Sequence, residues 1–249
     1  MRPDSRSDRI QVLVAEQAAR RGARAGVVDV CAAAVAALPV GGAGLSAMSR
    51  TAASHPLCST DDISAQLEEL QLTLGEGPCV DAFVRGSAVL TPDLLTGELQ
   101  EHWAVFADAA LEAGARAVFA LPLQMGAIIP GVLDLYADVP TVLDAEQLAD
   151  ALAFADLATL LLLDTQIVEA DAAAPERGFE DLGAYRAEID QASGILTVQL
   201  GVGIEEAFIR LRAHAYVQGL RLADVAADVV AHRLRFSRDA EPDRTDEKT

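Results

Sequence analysis

From Tyr185 to Phe236 the chain reads YRAEIDQASGILTVQLGVGIEEAFIRLRAHAYVQGLRLADVAADVVAHRLRF, and its apolar residues recur at helical spacing in three consecutive blocks. Residues three and four apart share one helix face, so this spacing constrains the segment to three short helices. In the first block Leu182, Ile189 and Leu196 repeat every seven residues, with Tyr185, Ala192 and Gln199 between them. That is a short heptad seam. It reads either as one helix of a monomeric bundle or as a stalk pairing two chains. Gly201 and Gly203 end the block. Ala207, Phe208, Leu211 and Ala215 line the second helix, and Val225, Ala226, Val229 and Leu234 the third. The predicted helices span about 179–200, 204–218 and 222–236, an all-α three-helix unit.

Basic residues fall outside these apolar stripes. Arg210 and His214 are four apart and share a face, Arg212 sits away from the core stripe, and Arg221, Arg233 and Arg235 lie near the ends of the third helix. Arginines placed this way solvate a helical surface and complement helix dipoles, or they form a patch for an anionic partner. The net charge of −19 argues against nucleic-acid binding by the whole chain, because phosphate is repelled. That charge is uneven. Residues 1–184 hold 10 arginines against 27 acidic residues, whereas residues 185–236 hold 6 of each. The helical unit is locally neutral on an acidic chain, which permits a small nucleic-acid-binding patch.

Upstream, strands and helices interleave, which marks a mixed α/β domain of sensor size over about residues 9–166. Residues 1–8 are polar and predicted disordered. A helix from about Arg9 to Arg21 is followed by one over Val27–Ala37, stopped by Pro39. Gly41, Gly42 and Gly44 open a strand through Met48. Asp61 and Asp62 provide an N-cap for a helix through Leu74. In LGEGPC, residues 74–79, the glycines supply unusual backbone angles and Pro78 suits the first turn of a helix through Arg85. A short strand over 88–90, a helix over 98–113 closed by Gly114, and strands over 116–123 and 128–136 joined at Gly126 come next. Pro130 has no N–H to donate, so it belongs at a bulge or an edge. Asp144 caps a long helix to about Ala170. Residues 171–178, with Pro175, form a linker, and 237–249 an acidic disordered tail.

Cys31, Cys58 and Cys79 form no CxxC pair and no zinc-spaced cluster with histidine, so no metal site is expected. An odd cysteine count and an N-terminus without an apolar leader fit a reducing cytoplasm. The longest apolar run, ending LATLLLLD, is broken by Asp156 and Asp164 and is too short to span a bilayer, so no membrane partner is expected.

The segments IDQASGIL, VQLGV, EEAF, LRAHA and LADVAADVV resemble the ANTAR family of RNA-binding transcription antitermination regulators. The resemblance runs through all three helices, about 50 residues. It implies a module that binds RNA carrying two tandem hairpins with hexanucleotide loops and stabilises an antiterminator. It also implies a homodimer, since two modules on two loops gain avidity. Loops expose unstacked bases that polar side chains read and arginines stack on. On this logic the candidate RNA contacts are Gln191, Ser193, Arg210, Arg212, His214, Arg221 and Arg233. The family pattern often has lysine where this chain has Ser193.

LQLTLGEGPCVDAF, AVLTPDL and HWAVFADAALEAGARAVFALPLQMGAIIPGVLDLY resemble a GAF domain, closest to those preceding ANTAR modules in actinobacterial regulators. This resemblance covers most of residues 9–166. It implies a central antiparallel sheet with helices on one side, a cavity that in some relatives holds a small ligand, and a dimer bundle built from the first and last helices. The expected architecture is therefore α+β. A GAF-like domain over 9–170 is followed by an ANTAR-like domain over 179–236, and the chain pairs as a homodimer through GAF and stalk helices. Trp103, Phe106 and Phe119 are candidate pocket residues, weighed against ordinary core. No cofactor is identified. Cys79 reads first as a small buried residue starting a helix, and second as a thiol activated by a helix N-terminus.

The sequence points to no catalytic apparatus. LGEGPC lacks the GK[ST] of a phosphate-binding loop, and no Ser-His-Asp order or kinase signature stands out. The paired carboxylates Asp61-Asp62 and Glu68-Glu69 read as caps and solvated helix faces. The expected function is a signal-responsive antitermination regulator. The alternatives are a GAF-centred sensor acting on a protein partner and a DNA-binding regulator.

Overall fold

The computed structural model describes residues 5–48, 55–171 and 180–237. Asp171, the first residue of the expected linker over 171–178, ends the last helix of the first unit; the rest of that linker, the first four residues and the tail from 238 lie outside the described residues. The chain separates into two compact units, between Gly183 and Ala184.

The first unit is built on a five-stranded antiparallel sheet of order β2-β1-β5-β4-β3. Its strands are β1 (Gly42–Ala47), β2 (His55–Ser59), β3 (Val89–Thr91), β4 (Ala117–Met125) and β5 (Ile128–Ala137). The expected antiparallel sheet is present, but helices cover both of its faces rather than one. On one face lie α1 (Arg6–Arg21), α2 (Val27–Ala37) and α7 (Ala145–Asp171), with Ile10, Val30 and Phe154 packed on Leu45, Phe119, Leu121 and Leu135. On the other lie α3 (Asp62–Leu74), α4 (Pro78–Arg85), α5 (Gly97–His102) and α6 (Ala104–Ala113). There Leu67, Trp103, Phe106 and Ala110 pack on Val118 and Tyr136, and Cys79 and Ala82 pack on Ala120 and Val132. The strand period of two divides the sheet residues between these cores.

Local signals set most boundaries. Asp61 accepts from the Ser64 N–H at 2.7 Å and caps α3. Gly22, Gly75, Gly86 and Gly114 close their helices in the left-handed region. Pro130 sits where the β4–β5 register slips between Leu123 and Met125, so the missing N–H falls at a bulge.

Three expectations change. The first helix begins at Arg6, capped by Ser5, because Arg6 and Arg9 pair with Glu146 and Asp150 of α7. The helix expected over 98–113 breaks at Trp103 (φ −123°, ψ 64°). There the Glu76 carboxylate accepts the N–H groups of Val105 and Phe106 at 2.9 and 2.8 Å and starts a new helix. Strand β2 was not foreseen, since Pro56 interrupts it. It lies at the sheet edge, where proline is tolerated. Strand β2 also brings the Cys58 sulfur beside that of Cys31 on α2.

The second unit contains α8 (Glu180–Leu200) from Ala184 onward, α9 (Ile204–Gln218) and α10 (Leu222–Val230). Helix α10 is shorter than the expected 222–236. The Asp228 carbonyl accepts from the N–H groups of Arg233 and Leu234 at 2.8 and 3.0 Å, and His232 adopts φ 58°. The tail then turns back, and the Phe236 N–H reaches Gln199 Oε1 of α8 at 2.9 Å. Ile189, Ala192 and Leu196 of the heptad seam are fully buried in a single chain. Their face is consumed by the fold of one protomer, the bundle reading of that seam. Among the described residues no single helix is long and apolar enough to cross a membrane.

Candidate functional site

The candidate nucleic-acid surface is carried by α9, α10 and the returning tail. Helix α9 buries Ala207, Leu211 and Ala215, and α10 buries Leu222, Val225, Ala226 and Val229. The apolar stripes read from the sequence are thus the packed faces, and the polar residues between them are pushed outward. Arg210 is exposed and pairs along α9 with Glu206 at 2.8 Å. Arg233 is exposed and pairs with Asp228 at 2.6 Å. Arg221 is exposed at the N-cap of α10, where its carbonyl accepts the Val225 N–H. Gln191 is exposed on α8.

Two other candidates are engaged with aromatic rings. The Arg212 guanidinium lies over the Phe208 ring, 5.6 Å from its centroid. Its partial burial pulls its pKa below the usual arginine value. The His214 ring meets Phe236 edge-on at 5.1 Å, which anchors the returning tail. Ser193 is not a surface residue: it is only 3% exposed, and its hydroxyl has no hydrogen-bond partner among the described residues. On α8 it adjoins the buried Ala192 and Leu196, on the packed side of the helix, and it leaves the set of candidate contacts.

One residue that sequence reasoning passed over joins the surface. Tyr216 is 52% exposed, four residues from Arg212 on α9. Ile209, Ala213 and Leu220 extend the same exposed stripe. An exposed aromatic beside arginines offers a face on which an unpaired base can stack.

The aromatic pocket expected in the first unit does not assemble. Trp103 and Phe106 pack together, edge to face, on the α3–α6 side of the sheet. Phe119 points to the opposite face, among the residues of α1, α2 and α7. All three are buried core. Helix α3, β1 and β5 instead enclose a cavity of about 10 Å³, lined by Gly44, Ser64, Glu68, Asp134 and Tyr136 among others. Its volume suits one water-sized occupant.

Beside that cavity lies a polar cluster that the sequence reading missed. Glu68, expected on a solvated face, is 2% exposed. Gly44 on β1 makes the space, because a Cβ there would fall inside the Glu68 carboxylate. The Ser46 hydroxyl donates to Glu68 Oε2. Gln71 donates from Nε2 to Asp134 Oδ2 at 2.8 Å and accepts the Cys79 N–H at 2.7 Å. Gly77, at φ 125°, leaves room for that glutamine. The remaining carboxylate oxygens, Glu68 Oε1 and Asp134 Oδ1, are buried on the same side of the cluster, next to the Cys79 thiol. Burial and mutual repulsion hold Glu68 well above the usual carboxylate range, and burial pushes Asp134 up to about 6. Burial and the two carboxylates push the Cys79 thiol up as well. The first reading of Cys79, a small buried residue starting a helix, describes its place, and its thiol is not activated.

Comparison with known proteins adds the following. The family model for the ANTAR domain matches residues 183–230. No curated protein matches the chain. Among solved structures, the GAF domain from Acinetobacter phosphoenolpyruvate-protein phosphotransferase is 11% identical over 65% of this chain and 94% of that one, with a TM-score of 0.48. The GAF domain from a phosphoenolpyruvate-protein phosphotransferase of Coxiella burnetii is 14% identical over 67% of this chain and 99% of that one, with a TM-score of 0.46. Type II free methionine-R-sulfoxide reductase from Thermoplasma acidophilum is 13% identical over 62% and 94%, with a TM-score of 0.42. Residues 183–230 of this chain are an ANTAR domain, the RNA-binding module of transcription antitermination regulators.

Proposed function

We propose that this chain is a signal-responsive antitermination regulator. Its ANTAR domain engages RNA bearing two tandem hexaloop hairpins, and a GAF-like sensor over residues 9–170 controls that engagement. The observation that carries the reading is the family match across α8, α9 and α10. The surface around that match supports it. Arg210, Arg221 and Arg233 are exposed, and Tyr216 offers a stacking face near Arg212. The pairs Arg210–Glu206 and Arg233–Asp228 are exposed and cost little to exchange for phosphate. Binding, not catalysis, is the proposed mechanism.

The sensor half of the reading is supported by the five-stranded antiparallel sheet enclosed by helices. A differential ligand affinity of about 1–3 kcal/mol between two states suffices to couple the units. The homodimer is proposed through the GAF-like domain. Ile189, Ala192 and Leu196 of the α8 seam are buried within one protomer, while Leu182 and Tyr185 of the seam lie outside the residues whose side chains are described. The DNA-binding reading wants a basic recognition helix; α10 carries Asp224 and Asp228 and is only nine residues long.

The test is a salt titration of binding to an RNA with two tandem hexaloop hairpins, against loop-scrambled RNA and duplex DNA of equal length. The expected result is loop-dependent binding that weakens as salt rises. Equal binding to all three, or none, would transfer the output to a protein partner. The exposed apolar stripe of Ile209, Ala213 and Tyr216 on α9, with Leu220 just past its C-cap, would then be the surface to pursue.

A further inference from the structure

We propose that Glu68, Cys79 and Asp134 form a buried site for one divalent transition-metal ion of the zinc, iron(II) or cobalt(II) class. The three side chains come from α3, α4 and β5, and their ligand atoms all lie within 4.8 Å of one another. Metal–oxygen and metal–sulfur bonds of about 2.0–2.3 Å bring such donors to within about 3.5 Å of each other, so an adjustment of about 1 Å closes the site.

Several features point to an ion. Glu68 Oε1 and Asp134 Oδ1 are sealed from water and turned toward each other, and two buried carboxylates aimed at one point are costly unless a proton or a cation lies between them. Their sister oxygens are fixed by Ser46 and Gln71, and Gln71 also holds the backbone of Cys79. Metal ligands are oriented by just such outer hydrogen bonds. Gly44 and Gly77 have no side chain because Glu68 and Gln71 fill that space. The adjoining cavity of about 10 Å³ admits an ion or a water and no organic molecule.

Donor chemistry selects the class. Calcium takes six to eight oxygens and magnesium keeps several waters, which a closed core with two carboxylates does not supply. A thiolate beside carboxylates suits the borderline transition ions. On binding, the thiol and any protonated carboxyl release their protons as metal–sulfur and metal–oxygen bonds form, and no electron is transferred. The site goes beyond the sensor reading and does not rest on it, since the donors are defined without reference to RNA.

The test uses the full chain in a thiol-free reductant, with cobalt(II) or zinc supplied during expression and again after purification. The expected result is one equivalent of cobalt(II) per chain and a near-ultraviolet thiolate-to-cobalt absorption band. Cys79→Ser removes the band, and Cys31→Ser with Cys58→Ser leaves it. Glu68→Gln and Asp134→Asn each weaken binding by at least tenfold. X-ray absorption of the wild-type zinc form gives a direct second reading: one sulfur at about 2.3 Å with oxygens at about 2.0 Å. That measurement needs no variant to fold. Less than stoichiometric metal, a zinc shell without sulfur, or a band that survives Cys79→Ser would overturn the site. The cluster would then be a hydrogen-bonded acid pair only. RNA binding in the same preparations is a separate readout, so losing the metal site and losing the RNA reading are distinguishable.

Discussion

Gly44 lies directly beneath Glu68: the carboxylate of the helix residue occupies the space that a strand side chain would fill. A small residue in the middle of a strand usually weakens the sheet. Here it admits a buried acid. Gly44→Ala therefore drives a methyl group into Glu68, and the expected loss of stability is about 1–3 kcal/mol in urea unfolding. In a Glu68→Ala background the same substitution should cost clearly less, because the space is then empty. Additive costs in that double-mutant cycle would show that the two side chains do not compete.

The acid pair also sets a pH dependence. Unfolded, Asp134 releases its proton near pH 4; folded, it holds the proton to about pH 6. Between these values the folded chain binds more protons than the unfolded chain, so stability falls as pH rises. The contribution is fully present below about pH 4 and is lost as pH passes through about 6. Glu68, also raised, extends the decline upward. Asp61 and Asp93 are lowered, so their contributions disappear only in more acid solution and leave this window clear. Unfolding free energies from urea titrations between about pH 4 and about pH 8 should decline by an amount on the order of 2 kcal/mol. Asp134→Asn should flatten that decline. Wild-type stability that rises across the window would mean that both acids are ionised in the fold.

Ser193 makes a sharper test of the RNA surface than any exposed residue. Its hydroxyl is buried and without a partner among the described residues, so Ser193→Ala removes an unsatisfied group and leaves the packing intact. The expected result is unchanged or slightly higher stability and unchanged RNA affinity. A tenfold loss of affinity with an intact fold would put Ser193 back among the contacts.

What the sequence made legible, and what it did not, follows from the range of the forces involved. Caps and stops are local. Asp61, Pro78, Gly114 and Gly219 each act on the adjacent turn, so the ends they set are readable in a few residues. The α10 end is different. Its stop is a pair of N–H groups returning to the Asp228 carbonyl, and the tail is held by Gln199 and His214, remote in sequence. The break at Trp103 depends on Glu76 in the same way. Adjacent acids such as Glu68-Glu69 look solvated when read locally. Glu68 of α3 is buried only because Gly44 and Ser46 of β1 and Asp134 of β5 face it from the sheet. On the proposed RNA surface the spacing separated core from surface correctly for Arg210 and Arg221. It did not expose the burial of Ser193 or the exposure of Tyr216, since both depend on how the helices rotate against one another.

Arg221, Arg212 and Tyr216 should separate three kinds of contribution to RNA binding. Arg221 is exposed and stands at a helix start, so Arg221→Ala should leave stability within about 0.5 kcal/mol of wild type. If it meets phosphate, the variant weakens binding to all loop sequences alike and lowers the salt slope by about one. Tyr216→Ala should also spare stability, yet cost about 1–3 kcal/mol of binding with little change in salt slope, because stacking releases no counterions. Arg212 differs from both. Its guanidinium lies over Phe208, so Arg212→Ala should lower stability by about 0.5–1 kcal/mol as well as affinity. Arg212→Lys keeps the charge but not the planar stacking, and should recover the salt slope without recovering the affinity. Unchanged RNA affinity in Arg212→Ala, Arg221→Ala and Tyr216→Ala, each with the fold intact, would move the RNA surface away from α9 and the start of α10.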